Sequence, residues 1–381
     1  MRVAIVHHWY VSTGGGERVA EALASLYPQA DLFALVADPA HVPHSLAHRK
    51  LTTSFIDRLP FSRRFYRHLL PLYPLAVEQL DLTGYDLVLT SDSGPMKGVI
   101  VSPSAVHICY CHSPMRYLWD QYHSYRSQMG AMARAAFTTA AHYVRNWDQA
   151  AAQRVTRFAA NSRYVAARIR QYYGRESTVI YPPVDTDSGR LNGPHSEAYL
   201  TVSRLTPYKR VDLLIEACNR LGRRLRIVGK GPEESRLRSM AGDSIEFLGK
   251  VGHETLWNEY ARCCAFLYAA EEDFGMALVE AQACGRPVIA LGRGGALESV
   301  VSLDNAGHRA SCTGLFYFEQ TAASAAAAIQ RFELNEHRFQ PAVICEHAAR
   351  FSTQAFLRGF QSLADETLQA SSSAARLPAC V

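Results

Sequence analysis

No apolar run approaches the length of about 18 residues that a membrane-spanning helix requires, so none is expected in these 381 residues. Cysteine is sparse and badly spaced for metal or cross-links. The nine cysteines form no C-x-x-C pair, Cys109 and Cys111 flank a tyrosine, and Cys263 and Cys264 are adjacent, which excludes the usual zinc frameworks and reads as reduced, cytosolic usage. Charge of one sign is also scarce. A net +5, without the interleaved aromatic and Lys/Arg pattern of an RNA-binding sheet, predicts no nucleic-acid partner. Only the short apolar stretch Val3 to Val6 precedes His7 and His8, too little for a signal-peptide core. What remains is an ordinary globular chain, 48% hydrophobic and 20% charged. Its length exceeds the single-core limit of about 250–300 residues, so two α/β domains are expected.

The most informative segment runs from Glu271 to Pro287. An apolar run, Cys264 to Ala269, reads as a strand; Gly275 opens a helix that Gly285 ends, and Val288 to Leu291 reads as a second strand. Glu272 then falls in a loop at the carboxyl end of a parallel strand and Glu280 inside the helix, where open α/β sheets collect anionic ligands. A second such unit starts at Ala198 to Val202 and leads through Ser203-Arg204-Leu205-Thr206-Pro207-Tyr208-Lys209-Arg210 into a helix, Val211 to Leu221. Arg204 and Lys209 are placed to converge on an anion, the first as a fork and the second as a point charge. A strand is also expected at Leu225 to Val228, before Gly229-Lys230-Gly231-Pro232. Taken singly, each motif is equally compatible with solvated loop charges.

Together these segments resemble the retaining glycosyltransferases of family four. The resemblance implies that Glu272 faces the donor sugar, Glu280 holds the ribose hydroxyls, Arg204 and Lys209 bind the diphosphate, and Gly229, Lys230, Phe274 and Gly275 line the nucleotide side. It covers about 198 to 315, with Gly292 to Ala296 as a further landmark near the donor.

The amino half carries a glycine loop, Gly14-Gly15-Gly16, between the Val3 to Val6 strand and a helix over Val19 to Leu26, where backbone at Gly15 and Gly16 can approach a phosphate. Strands are expected at Leu87 to Thr90, Val106 to Tyr110 and Thr178 to Tyr181. The segment Tyr110-Cys111-His112-Ser113-Pro114-Met115-Arg116-Tyr117-Leu118-Trp119-Asp120 offers stacking faces and hydrogen bonds suited to a carbohydrate. It is similar to a segment of bacterial GDP-mannose-dependent mannosyltransferases of that family, which implies that His112 touches the transferred sugar. His7 and His8 are read as structural, because adjacent residues of a strand face opposite sides and cannot share an ion.

Fold expectation follows from the resemblance: α/β, GT-B architecture, two facing Rossmann-like domains with an interdomain cleft. The expected division is an acceptor domain at 1–182, a nucleotide-sugar domain at 183–350, and a helix returning to the first domain with a mobile tail at 351–381. The implied reaction moves a hexose, mannose from GDP-mannose, with retention onto a polyprenyl-diphosphate-linked oligosaccharide in bacterial exopolysaccharide or O-antigen assembly. A UDP-sugar donor, a sugar-nucleotide epimerase and a non-catalytic binding module stay open. No cofactor or metal is expected: Asp185-Thr186-Asp187 spells a D-x-D pattern but follows Pro182-Pro183, where short acidic residues make turns. Residues 49–67 hold six Lys/Arg against one Asp among Phe55, Ile56, Phe61 and Phe65, so the Arg49 to Tyr73 stretch reads either as a solvated basic helix or as a face for an anionic membrane, and a polyprenyl-diphosphate acceptor favours the membrane. The expected location is cytoplasmic, peripheral on the inner face of the plasma membrane.

Overall fold

A computed structural model describes residues 1–12, 14–191, 196–304 and 311–375. Two compact units emerge, one holding Met1–Pro183 together with the chain from Phe356, the other Val184–Ala355.

The first unit is a parallel sheet of β1 (Val3–Tyr10), β2 (Asp31–Ala37), β3 (Leu51–Thr53), β4 (Leu87–Asp92), β5 (Val106–Cys111), β6 (Arg157–Ala160) and β7 (Ser177–Val179), in the order β3-β2-β1-β4-β5-β6-β7. Both faces are covered, which is why its central strands are buried along nearly their whole length and do not alternate between buried and exposed. Val3, Ile5, Leu87, Leu89 and Ile108 pack beneath Val19 and Leu23 of the helix Gly15–Leu26, with Phe356, Phe360 and Leu363 of the last helix, Thr353–Ala375. Ala4, Val6 and Val88 face the other way, onto Tyr73, Val77 and Val144. Val144 belongs to a 23-residue helix, Ala131–Gln153.

The second unit is a parallel sheet of β8 (Tyr199–Val202), β9 (Leu225–Val228), β10 (Ile245–Gly249), β11 (Phe266–Tyr268), β12 (Val288–Leu291) and β13 (Gly314–Tyr317), ordered β10-β9-β8-β11-β12-β13. Its core joins Leu225, Ile227, Leu267, Ile289 and Leu315 to Leu214 and Ile215 of the helix Val211–Leu221 and to Ile329 and Phe332. Each unit is Rossmann-like, and each strand order reverses once, between β1 and β4 and between β8 and β11. Loops leaving the carboxyl ends of strands at such a reversal splay apart and leave room for a ligand. No helix among the described residues is long and apolar enough to cross a membrane.

Candidate active site

At the reversal of the second sheet, the loop after β8 brings Lys209 to Glu272 in the loop after β11. The Lys209 ammonium is ion-paired with the Glu272 carboxylate and donates to the Tyr268 hydroxyl at 2.9 Å. Burial opposes its charge, but Glu272, Tyr268 and Tyr208 outweigh that effect and raise its pKa, so Lys209 stays a cation. Arg204 is exposed on the same loop. Glu272 is anchored through its backbone: its carbonyl accepts from Gly295 N–H at 2.8 Å, and Gly294 lies so close that an added Cβ would sit 2.3 Å from that oxygen. With φ at +61°, Gly294 tolerates no ordinary side chain.

The Gly229–Gly231 turn follows β9 and closes on the same loop, Leu205 N–H donating to the Lys230 carbonyl at 3.1 Å. Gly275 precedes the helix Met276–Ala283. Phe274 turns its ring inward against Phe351, so what the Phe274-Gly275 pair presents is backbone. Glu280 is buried and accepts from the Tyr260 hydroxyl at 2.8 Å. Asp185 serves a turn, accepting from Ser188 N–H at 3.2 Å and Ser188 O–H at 2.6 Å, with His253 at 3.3 Å.

At the reversal of the first sheet, His7, His8 and His112 gather around Ser91 at the end of β4. Ser91 Oγ lies 3.1 Å from His7 Nδ1 and 2.8 Å from His112 Nε2, while the Ser91 carbonyl accepts from His8 Nδ1 at 3.1 Å. The expectation that His7 and His8 point apart is therefore wrong. Pairing of β1 with β4 ends at His7↔Ser91, so beyond it the His8 ring is free to fold back over the strand end, 4.1 Å from the His7 ring. Gly16, in the first turn of the helix Gly15–Leu26, sits over the cluster: a Cβ there would lie 3.1 Å from His8 Cε1, 3.3 Å from His7 Cε1 and 3.7 Å from His112 Nε2.

The aromatic segment after His112 is not an open sugar platform. Trp119 stacks on Tyr172 at 4.8 Å and donates to Asp148 at 2.9 Å, Asp120 pairs with Arg168, and Met115 and Leu118 are buried. These groups hold the His112 loop in place.

Sequence reasoning assigned no chemical role to the post beneath that loop. Lys97 is buried and pairs with Asp148 and, at 3.5 Å, with Asp92, whose carboxylate accepts from Gly94, Met96 and Lys97 N–H. A signal was available: Ala141, Val144, Asp148 and Ala151 share one buried helix face, and a carboxylate there needs a cation.

Acid should loosen this site. Burial pushes His8 down to about 4 and, with His8 beside it, His112 to about 3; burial and neighbouring imidazoles hold His7 well below its ordinary value of 6.5. Below about 6.5 the unfolded chain takes up protons that the fold refuses, so stability is lost as pH falls from 6.5 toward 4. Glu17, raised by burial to about 7, acts in the opposite sense. The urea midpoint is expected to drop between pH 7 and pH 5, with a smaller drop in His8→Gln; an unchanged midpoint would contradict the neutral cluster.

Comparison with known proteins accords with this geometry. Residues 13–188 match the family model described as Glycosyltransferase Family 4, and residues 190–357 match Glycosyl transferases group 1. The chain belongs to glycosyltransferase family 4. Among its relatives is a GDP-mannose-dependent monoacylated alpha-(1-6)-phosphatidylinositol monomannoside mannosyltransferase of Corynebacterium glutamicum, 40% identical over 114 residues, or 26% of this chain and 30% of that protein. A D-inositol 3-phosphate glycosyltransferase of Geodermatophilus obscurus is 32% identical over 230 residues, 51% of this chain and 49% of the relative. The chain thus spans less than half the length of either relative. HepE from Anabaena, solved with UDP, shares the fold of this family 4 member at a TM-score of 0.70 and 16% identity, covering 96% of this chain and all of HepE. Sucrose-phosphate synthase from Thermosynechococcus elongatus does so at 0.70 and 19% identity, covering 97% of this chain and 100% of the synthase.

Proposed function

We propose that the chain is a retaining glycosyltransferase that moves mannose from GDP-mannose to a polyprenyl-diphosphate-linked oligosaccharide in bacterial exopolysaccharide or O-antigen assembly. The observation that carries the donor half is the Lys209–Glu272 pair at the strand reversal of the second sheet. A donor diphosphate gains charge as it leaves. A preorganised cation beside Glu272, with exposed Arg204 on the same loop, meets that charge without an added ion, since Asp185 is already engaged in its turn. Glu280, buried on its helix, suits the ribose hydroxyls. In the first unit His112 faces the sugar, and backbone at Gly15 and Gly16 attends the phosphates. Attack and departure on one face let the leaving phosphate take the acceptor proton, so no separate protein base is required. Relatives named as GDP-mannose-dependent support the donor; HepE, solved with UDP-glucose, keeps a UDP-sugar as the competing choice. Incubation with GDP-mannose, UDP-glucose and UDP-N-acetylglucosamine tests it: nucleotide release should be fastest from GDP-mannose and require added acceptor. Release from a UDP-sugar alone would replace the donor, and acceptor-free conversion would indicate an epimerase.

The lipid acceptor calls for a membrane face, and the 49–73 stretch supports one. After β3 it forms short helical turns, not a single amphipathic helix: Ile56 and Tyr66 face inward, while Leu59, Phe61, Phe65 and Leu72 remain exposed beside Arg58, Arg63, Arg64 and Arg67. Phe61 is 78% exposed on a left-handed backbone, φ 57°. Each basic group adds about 1 kcal/mol at an anionic surface. Reversing Arg63, Arg64 and Arg67 to Glu is expected to abolish sedimentation with anionic vesicles, and Phe61→Ser with Phe65→Ser to weaken it. Absence of salt-sensitive binding by the unaltered chain would remove the membrane from the proposal.

A further inference from the structure

We propose that His7, His8 and His112 form a three-imidazole site for a divalent transition metal of the zinc class, distinct from any ion on the donor diphosphate. One ligand nitrogen from each ring lies within 4.8 Å of the others. For His8 a hydrogen bond also fixes where the lone pair is. A carbonyl can only accept, so the Ser91 carbonyl places the His8 proton on Nδ1 and leaves Nε2 as the ligand atom, with the Ser93 hydroxyl at 3.4 Å. His7 Nδ1 rests on Ser91 Oγ, and His7 Nε2 is buried with no hydrogen-bond partner among the described residues. An imidazole with one nitrogen held by a carbonyl or hydroxyl and the other left open is the outer-shell pattern of metal-binding histidine.

Donor chemistry selects the metal. Three neutral nitrogens without carboxylate or thiolate disfavour Mg²⁺ and Ca²⁺ and suit Zn²⁺, Co²⁺, Ni²⁺ or Cu²⁺. Zinc–nitrogen bonds of about 2.0–2.1 Å in a tetrahedron place ligand atoms about 3.4 Å apart, so the rings must draw inward on binding. His112 Nε2 would exchange the Ser91 hydroxyl for the ion, and the fourth position would remain open to water. On the reading that His112 touches the transferred sugar, occupancy inhibits the enzyme, and chelator preserves or raises turnover.

The test is direct binding to the full chain after removal of metal by chelator. Calorimetry with Zn²⁺ should give one site per chain, and Co²⁺ should give visible absorption bands without thiolate charge transfer. His8→Gln and His112→Gln should each weaken Zn²⁺ by at least about tenfold; His7→Gln is a third variant, whose folding is checked by circular dichroism. No saturable binding, affinity unchanged in His8→Gln and His112→Gln, or a thiolate band would overturn the site. None of these readouts uses nucleotide or turnover, so failure here leaves the glycosyl-transfer proposal standing, and failure of that proposal leaves the metal site standing.

Discussion

Lys209→Ala is expected to lower kcat/KM by about 10²–10³, with little loss of folded protein, because it removes the partly buried cation paired with Glu272 where the proposed reaction develops negative charge. The effect should exceed that of Arg204→Ala, since Arg204 is exposed and water can replace part of its contribution. Glu272 makes the loss worse. Without Lys209 its carboxylate faces the incoming diphosphate unneutralised, so donor affinity as well as turnover should fall. Lys209→Arg should recover only part of the loss, since a planar fork does not reproduce an ammonium held by Tyr268 and Glu272. Steady-state kinetics and calorimetry with nucleoside diphosphate measure both consequences. Turnover near normal in Lys209→Ala would remove the donor assignment.

Lys97→Met should be the most destabilising single change in the first unit. It leaves Asp92 and Asp148 buried without their cation, a situation that costs about 3–5 kcal/mol. Burial already pushes the Asp92 carboxyl upward, against the pull of Lys97, so without Lys97 it should take a proton and the cost should be smaller at low pH. Asp92 also fixes the backbone that follows Ser91. Because Ser91 organises the three histidines, activity should fall with stability. The double variant Lys97→Met, Asp148→Asn should recover part of the loss in urea unfolding. Additive losses would mean that the two groups do not share one network.

The second unit was the more legible. Val211–Leu221, Leu225–Val228 and Val288–Leu291 have the bounds expected from their apolar runs, because glycine, proline or charge flanks each one. Other elements hid for physical reasons. The strand expected at Val3 to Val6 runs on to Tyr10, since His7 and His8 look like its polar end but are buried with their Nδ1 atoms against Ser91. The helix Ala131–Gln153 is rich in alanine and exposed over much of its length, so its apolar periodicity is confined to the second half, from Ala141 onward. Trp119 and Asp120 suggested a sugar platform because composition does not show partners; Tyr172, Asp148 and Arg168 lie 29 to 53 positions away in the chain. The histidine cluster was obscured by a sound rule, strand alternation, applied where the strand loses its neighbour.

The most direct test of the central claim is mass analysis of lipid products after incubating the chain with isotopically labelled GDP-mannose and bacterial membrane lipid extract. Labelled hexose joined to a polyprenyl-diphosphate oligosaccharide, absent with Lys209→Ala, is the result expected. Label that stays in the nucleotide sugar or appears only as free mannose, while an unlabelled UDP-sugar is consumed, would contradict the account.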